Sequence, residues 1–167
     1  MAERRTALVL TISDRAAAGN RDDVSGAAVA ERLTALGFAV DRTTVPDERD
    51  RIEAALVAAA ARHPLVVTTG GTGLTPRDVT PQATLAVIDY EVPGFAEAMR
   101  ADGRAKTPLA ILSRAVVGVR GRALIVNLPG SPRGATESLA SLEPVLEHAL
   151  ETLGGPFEHA RWRDPAT

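Results

Sequence analysis

Three glycines within four residues are the feature of this sequence best suited to chemistry. Gly70, Gly71 and Gly73 follow an apolar run that ends in two threonines. The pair Arg77 and Asp78 comes next, just before a predicted helix start. Glycine permits positive φ angles and close approach of a ligand to the backbone amides. A strand that runs through glycines into a helix N-terminus commonly holds an anion, and a carboxylate is a ligand for hard cations. The segment therefore predicts a site for a phosphorylated ligand and a divalent metal.

Three other polar loops also follow predicted strands directly. They are Ser13-Asp14-Arg15, Pro46-Asp47-Glu48 and the turn from Asn127 to Ser131. In a parallel sheet the carboxyl ends of the strands lie at one edge, and ligands of open α/β sheets bind in the crevice at that edge. We therefore expect loops that are distant in sequence to form one site.

Each of these motifs also has a purely structural interpretation. The three glycines suit a tight turn, and Asp47 and Asp78 each suit a helix N-cap. Pro129-Gly130 suits a strand-to-helix turn, and Ser113-Arg114 suits a surface pair at a strand end. The convergence of the loops, rather than any single motif, favours the functional interpretation.

Composition narrows the class of protein. The chain has 167 residues, of which 45% are apolar and 24% are charged, with a net charge of only −2. This balance predicts one globular domain and no binding to nucleic acid. The absence of Cys excludes disulfides and thiolate metal sites. No stretch approaches the roughly 20 apolar residues that a membrane span requires, so we expect a cytoplasmic protein without membrane contact.

Apolar periodicity predicts strands that alternate with helices. This order predicts βαβ units in a three-layer α/β/α fold, with a mostly parallel sheet and helices on both faces. We expect one domain over residues 1–167, with its core at about 6–153 and a tail at 156–167. The expected strands are 6–13, 38–45, 65–69, 109–112 and 122–128, and 116–121 is undecided. Five helices are expected. The first is capped by Ser25, the second contains Ile52, the third spans 80–88, the fourth spans 95–99, and the last bends or restarts at Pro144.

Taken together, the motifs resemble the MogA/MoaB family of molybdenum cofactor biosynthesis proteins, which includes the gephyrin G domain. The matches occur in the family's order and extend over roughly residues 6 to 153. The glycine loop with Arg-Asp-Val-Thr-Pro is the most specific of them. The matching segments are Thr11-Ile12-Ser13-Asp14-Arg15, Pro46-Asp47-Glu48, Thr69-Gly70-Gly71-Thr72-Gly73, Pro76-Arg77-Asp78-Val79-Thr80-Pro81, Leu112-Ser113-Arg114 and Asn127-Leu128-Pro129-Gly130-Ser131-Pro132.

The resemblance implies a molybdopterin-binding fold, usually assembled as a homotrimer. It also implies transfer of AMP from the co-substrate ATP to the terminal phosphate of molybdopterin, with Mg²⁺. The adenylylated pterin would then pass to the enzyme that inserts molybdate. The resemblance further places Asp47 and Asp78 at the family's two important acidic positions, as catalytic residues and Mg²⁺ ligands, and Ser113 at a serine associated with the pterin.

The remaining expected contacts with substrate or nucleotide come from the same loops. We expect Arg77 or Arg114 to contact phosphate, or to be only a surface charge. The full set of expected binding residues is Ser13, Asp14, Thr69, Gly70, Gly71, Thr72, Gly73, Ser113, Arg114, Asn127, Pro129, Gly130 and Ser131.

Three other functions compete with AMP transfer. The first is a non-catalytic molybdopterin binder or carrier of the MoaB branch. The second is the molybdate-insertion branch, which shares the glycine loop but carries large extra domains. The third is a structural scaffold like the multi-domain animal relative. The sequence leaves open which loop binds pterin, which binds nucleotide, and whether the assembly is a trimer or a hexamer.

Overall fold

The computed structural model describes residues 5–155, so the expected tail at 156–167 lies outside the described residues. Strands alternate with helices over most of this range, as the apolar periodicity predicts. A short 3-10 helix at Pro108–Leu112 connects the fifth main helix to the fifth strand. The other elements are β1 (Thr6–Ile12), α1 (Asp14–Ala17), α2 (Val24–Ala35), β2 (Ala39–Val45), α3 (Arg49–Ala60), β3 (Leu65–Thr69), α4 (Thr80–Val87), β4 (Tyr90–Glu91), α5 (Pro93–Lys106), β5 (Val117–Arg120), β6 (Ala123–Leu128) and α6 (Pro132–Gly154).

The six strands form one sheet in the order β2-β1-β3-β6-β5-β4. β1 pairs in parallel with β2 and β3, and β3 pairs in parallel with β6. β5 runs antiparallel to both β6 and β4. The predicted mostly parallel sheet is therefore confirmed, and the carboxyl ends of β2, β1, β3 and β6 lie along one edge.

Helices cover both faces of the sheet. Along β1, Ala7 and Val9 point into a core shared with α2, α5 and α6, whereas Leu8 and Leu10 point into a core shared with α3 and α4. This alternation follows from the period of two in a strand, and the apolar residues on both faces are what a buried parallel strand requires. The three-layer arrangement expected from the sequence is confirmed.

Four local expectations differ from the structure. The apolar run Leu109–Leu112 forms part of the 3-10 helix instead of a strand, because Pro108 and the Thr107 cap begin a turn and Leu109 remains 68% exposed. The helix expected at 95–99 extends over all of α5. Helix α2 is capped by Asp23, whose Oδ1 accepts from the Gly26 amide, and not by Ser25. Helix α6 continues through Pro144 as a single helix. Within residues 5–155, no helix has both the length and the hydrophobicity needed to cross a membrane.

Candidate active site at the carboxyl edge of the sheet

The register of the parallel strands brings the expected loops together. Thr11, near the end of β1, lies beside Thr69 at the end of β3, and Thr69 lies beside Leu128 at the end of β6. The loops that follow these three strands therefore start from one rim, as the sequence pattern predicts.

The β3–α4 loop starts with two backbone conformations that glycine adopts readily. Gly70 has φ +96° and Gly71 has φ +69°. A side chain at Gly70 would also collide with the Ile12 carbonyl oxygen of β1. The Thr80 hydroxyl donates to the Gly70 carbonyl (2.9 Å), and the Thr80 amide donates to the Gly71 carbonyl (3.2 Å). These bonds fold the loop back onto the first residue of α4.

Asp14 and Asp47 connect the loops after β1 and β2. The Asp14 amide donates to Asp47 Oδ2 and the Asp47 amide donates to Asp14 Oδ1, each at 2.9 Å. Arg77 donates to Asp14 Oδ2 at 2.5 Å, which ties the glycine loop to this pair. Glu48 is the N-cap residue of α3, and no side chain caps that helix. The alternative interpretation of Asp47 as a helix cap is therefore wrong.

Asp78 is held within its own loop. Its Oδ2 accepts from the Thr75 amide (2.9 Å) and the Thr75 hydroxyl (2.7 Å). Helix α4 has Val79 as its N-cap residue and no side-chain cap bond, so the cap interpretation of Asp78 is wrong as well. The carboxylate instead stabilises the turn that carries it.

The acidic side chains differ in their electrostatic environments. Burial raises the pKa of Asp47, and the negative charges of Asp14 and Asp78 raise it further, against the opposing hydrogen bond from the Asp14 amide and the positive charge of Arg77. Burial also raises the pKa of Asp78, but hydrogen bonds from Thr75 and Gly73 and the charge of Arg114 together outweigh this effect, and its pKa is lower than its ordinary value. The hydrogen bond from Arg77 lowers the pKa of Asp14. Arg77, next to Asp78 in the chain, bonds to Asp14, and Asp14 bonds to Asp47, so the loops that carry the three aspartates meet at this edge.

Two cavities flank the glycine loop. The first, of about 300 Å³, is mainly apolar and lies against α5, the 3-10 helix and the start of α6. The second, of about 370 Å³, is mainly polar and lies between the β1–α2 connection and the start of α6. Ser131 lines both cavities and caps α6, since its Oγ accepts from the Gly134 amide (3.1 Å). Of the expected binding residues, Thr72, Gly73, Ser113 and Pro129 line the first cavity, and Ser13, Thr69, Gly70 and Gly130 line the second.

Comparison with known proteins identifies the family. The model of the probable molybdopterin-binding domain matches residues 8–148, which is most of the chain. The chain belongs to this family.

Similar proteins span nearly the same length. The molybdopterin adenylyltransferase of Escherichia coli K12 is 45% identical over 167 residues, with 89% of this chain and 85% of that protein covered. The molybdopterin adenylyltransferase of Helicobacter pylori J99 is 41% identical over 156 residues, with 89% and 88% covered. A solved structure of MogA matches with a TM-score of 0.84 at 45% identity, covering 89% of this chain and 99% of the other. MoaB of Thermus thermophilus matches with a TM-score of 0.82 at 48% identity, covering 93% and 100%. The resemblance to the MogA/MoaB family is confirmed.

Two side chains that were expected to bind ligand form hydrogen bonds to other residues of the protein. Asn127 is fully buried, and its Nδ2 donates to the hydroxyls of Thr68 (3.1 Å) and Thr84 (2.9 Å). Its Oδ1 accepts from the Val116 amide at 3.2 Å. Arg114, expected to contact phosphate, donates to acceptors of the β3–α4 segment instead. The structure therefore does not bring these two side chains into either cavity.

Other residues at the domain's cavities were missed by the sequence analysis. Asp23 lines the second cavity, accepts from the Thr11 hydroxyl (2.6 Å) and pairs with Arg42 (2.9 Å). Its position three residues before Gly26 is a capping signal that could have revealed it. Met99 and Glu137 of the first cavity lie on long helices, and the sequence carries no signal that places them there.

Thr69 lines the second cavity, and its hydroxyl is buried. The residue is only 1% exposed, and its Oγ1 has no hydrogen-bond partner in the described part of the chain. A buried hydroxyl without a partner costs free energy, and a ligand oxygen could satisfy it.

Proposed function

We propose that this chain is a molybdopterin adenylyltransferase, which transfers AMP from ATP to the terminal phosphate of molybdopterin and releases pyrophosphate. Relatives at 41% and 45% identity carry that name. The observation that carries the proposal is the meeting of the loops of Asp47 and Asp78 at the sheet edge, where Arg77 bonds to Asp14 and Asp14 bonds to Asp47. Such a meeting of acidic loops, next to backbone amides of a glycine loop, is suited to a polyphosphate bound with a cation.

The two cavities support a reaction between two substrates. They lie on either side of a shared wall formed by the glycine loop and the turn after β6. Two molecules bound there would meet at that wall. Holding two reactants in a fixed orientation is a large part of catalysis in phosphoryl-type transfer.

The chemistry requires no general base. The attacking group is a phosphate oxygen of molybdopterin, which is ionised at neutral pH. A bond forms from this oxygen to the α-phosphorus of ATP, and the bond from that phosphorus to the bridging oxygen of pyrophosphate breaks. The main obstacle is repulsion between anions, so catalysis is expected to come from positioning and electrostatic stabilisation.

The chain's own groups are suited to these tasks. The N-terminus of α6, whose cap Ser131 lines both cavities, would direct the positive end of the helix dipole towards a phosphate. The free hydroxyl of Thr69 offers a further donor at the second cavity. Gly70 lines the second cavity and Thr72 and Gly73 line the first, so the glycine loop would contact substrates on both sides.

The aspartates of these loops fit Mg²⁺. No group of three His, Cys, Asp or Glu residues within 5–155 forms a complete metal site. Mg²⁺ usually takes only one or two carboxylates and completes its shell with phosphates and water, and the carboxylates of Asp47 and Asp78 are oxygen ligands of the kind that it prefers. Asp47 and Asp78 would hold the ion, which would draw negative charge from the α-phosphate and the departing pyrophosphate.

We also propose a homotrimer in the cytoplasm that passes its product to the molybdate-insertion enzyme. Large apolar side chains on and near the 3-10 helix support association with other protein chains. Leu74, Leu109 and Ile111 are 65%, 68% and 61% exposed. Clusters of exposed large apolar residues commonly mark protein interfaces.

Incubation with molybdopterin, Mg²⁺ and ATP labelled at the α-phosphate tests the proposed reaction. The expected products are labelled adenylyl-molybdopterin and unlabelled pyrophosphate. Molybdopterin that binds stoichiometrically without label transfer would overturn the proposal and favour the carrier function instead.

A further inference from the structure

Arg114 lies between the 3-10 helix and β5, and it forms hydrogen bonds to the loop between β3 and α4 and to the start of α4. Its Nε donates to the Gly73 carbonyl at 2.7 Å, and one terminal nitrogen donates to the Asp78 carbonyl at 2.5 Å. The other terminal nitrogen donates to Gln82 Oε1 at 3.3 Å. The Arg114 backbone amide donates to the Thr72 carbonyl at 3.0 Å. One residue therefore bonds to four points of this segment.

These four bonds bracket the carboxylate of Asp78. Gly73 lies five residues before it, and a side chain at Gly73 would meet Asp78 Oδ2 at 2.9 Å. The turn between Gly73 and Asp78 closes through Thr75, whose amide and hydroxyl both donate to that same oxygen. Holding both ends of this turn fixes where its carboxylate lies.

We infer that Arg114 is a positioning residue, which fixes the glycine loop and the Asp78 carboxylate for the transfer of AMP. The inference rests on the proposed function. Arg114 acts through the loop and not on the substrates, because each of its three guanidinium nitrogens donates to an acceptor of the protein and the residue lines neither cavity.

The inference depends on the shape of the guanidinium. Its planar fork presents several N–H donors in fixed directions, whereas a lysine ammonium is a single flexible point charge. Arg114→Lys keeps the charge but cannot bridge the same set of acceptors. Arg114→Met keeps the length of the side chain and removes all of its donors.

Hydrogen exchange measured on the full chain tests the effect on the loop without any assumption about activity. In Arg114→Met we expect faster exchange of the amides in residues 72–80 and unchanged exchange in the β-strands. Arg120→Met is the matched control, because Arg120 also donates to a backbone carbonyl, that of Val87 at 2.6 Å, but away from the loop. The control should leave exchange in residues 72–80 unchanged. Unaltered exchange there in Arg114→Met, or faster exchange throughout the sheet, would overturn the inference.

Steady-state kinetics of AMP transfer tests the effect of Arg114 on catalysis. Thermal melting first shows that each variant is folded. We expect kcat of Arg114→Met to fall about 100-fold, the size of loss that a misplacement of about 1 Å can cause, while KM for ATP changes less than about threefold. Arg114→Lys should fall between the wild type and Arg114→Met. A raised KM for ATP with unchanged kcat would show a direct phosphate contact and contradict the positioning role. If the wild type transfers no AMP, the proposed function fails, and hydrogen exchange alone decides the role of Arg114 in holding the loop.

Discussion

The two ends of the parallel strands differ in what their side chains do. The carboxyl end carries three aspartates, two glycines with positive φ, and both cavities. The amino end carries the buried His63, just before β3, and exposed ion pairs of Arg5 with α6. The linked aspartates and the cavities are thus concentrated at the carboxyl end of the strands. Substitutions at the two ends should therefore affect activity and stability separately.

The largest expected effect comes from Asp78→Ala at the carboxyl end. Loss of a charged group that stabilises the transition state should lower AMP transfer on the order of 10³-fold or more. The thermal midpoint should change little, because Asp78 is partly exposed and the hydrogen bonds of its carboxylate lie within its own turn. Asp50→Ala is a matched control, since Asp50 is an exposed aspartate in the first turn of α3. Near-normal AMP transfer by Asp78→Ala would remove the role assigned to this residue.

Asn127→Ala is an exception to the separation of activity from stability between the two ends. Asn127 lies near the carboxyl end of β6, but its side chain is buried and should affect stability. The substitution leaves the Val116 amide and the hydroxyls of Thr68 and Thr84 without their partner. We expect a loss of about 2–4 kcal/mol in the free energy of unfolding, measured by urea denaturation. The exposed Asn20→Ala should lose much less. A stable Asn127→Ala variant with weakened ligand binding would instead support the ligand contact first expected from the sequence.

His63 should make the stability of the amino end depend on pH. Burial lowers the pKa of His63 below its ordinary value of 6.5, and the charge of Arg62 acts in the same direction against that of Asp41. The unfolded chain then binds a proton more readily than the folded one, so stability is present above pH 6.5 and is lost as the pH falls below it. One group contributes at most about 1.4 kcal/mol per pH unit. We expect urea denaturation between pH 7 and 5 to show a shallower loss for His63→Gln, and identical slopes would contradict this assignment.

The smallest effect should come from Arg5→Ala at the amino end. Arg5 pairs with Glu147 at 3.9 Å and Glu151 at 3.3 Å on the surface of α6. Exposed ion pairs contribute little, so we expect a loss of about 0.5 kcal/mol or less, diminished further by salt. Thermal melts at low and high ionic strength measure it. A loss of AMP transfer in this variant would contradict the functional separation of the two ends.

The meeting of the polar loops at one edge of the sheet could be predicted from the sequence, because the local residue types and the strand topology indicate the same arrangement. The glycines of the β3–α4 loop need positive φ, and the polar loops follow parallel strands, so their meeting at one edge follows from the fold class. The sequence did not predict the 3-10 helix at Pro108–Leu112. A short apolar run has no period that separates a strand from a turn, and packing decides between them.

The roles of individual polar side chains were harder to predict. Asn127 and Arg114 stand in motifs that suggest ligand binding, yet both form hydrogen bonds to residues 32 to 59 positions away in sequence. Such partners are brought close only by the tertiary structure. Asp47 likewise resembles a helix cap in its local sequence, and only the neighbouring loop after β1 reveals its pairing with Asp14.

A double-mutant cycle on Asp47 and Asp78, read out as the rate of AMP transfer at saturating Mg²⁺, tests the central claim most directly. If both carboxylates serve one cation and one transition state, their effects are not additive, and the double alanine variant should be scarcely slower than Asp78→Ala alone. Two losses that multiply independently would show that the carboxylates act at separate places and would contradict the account.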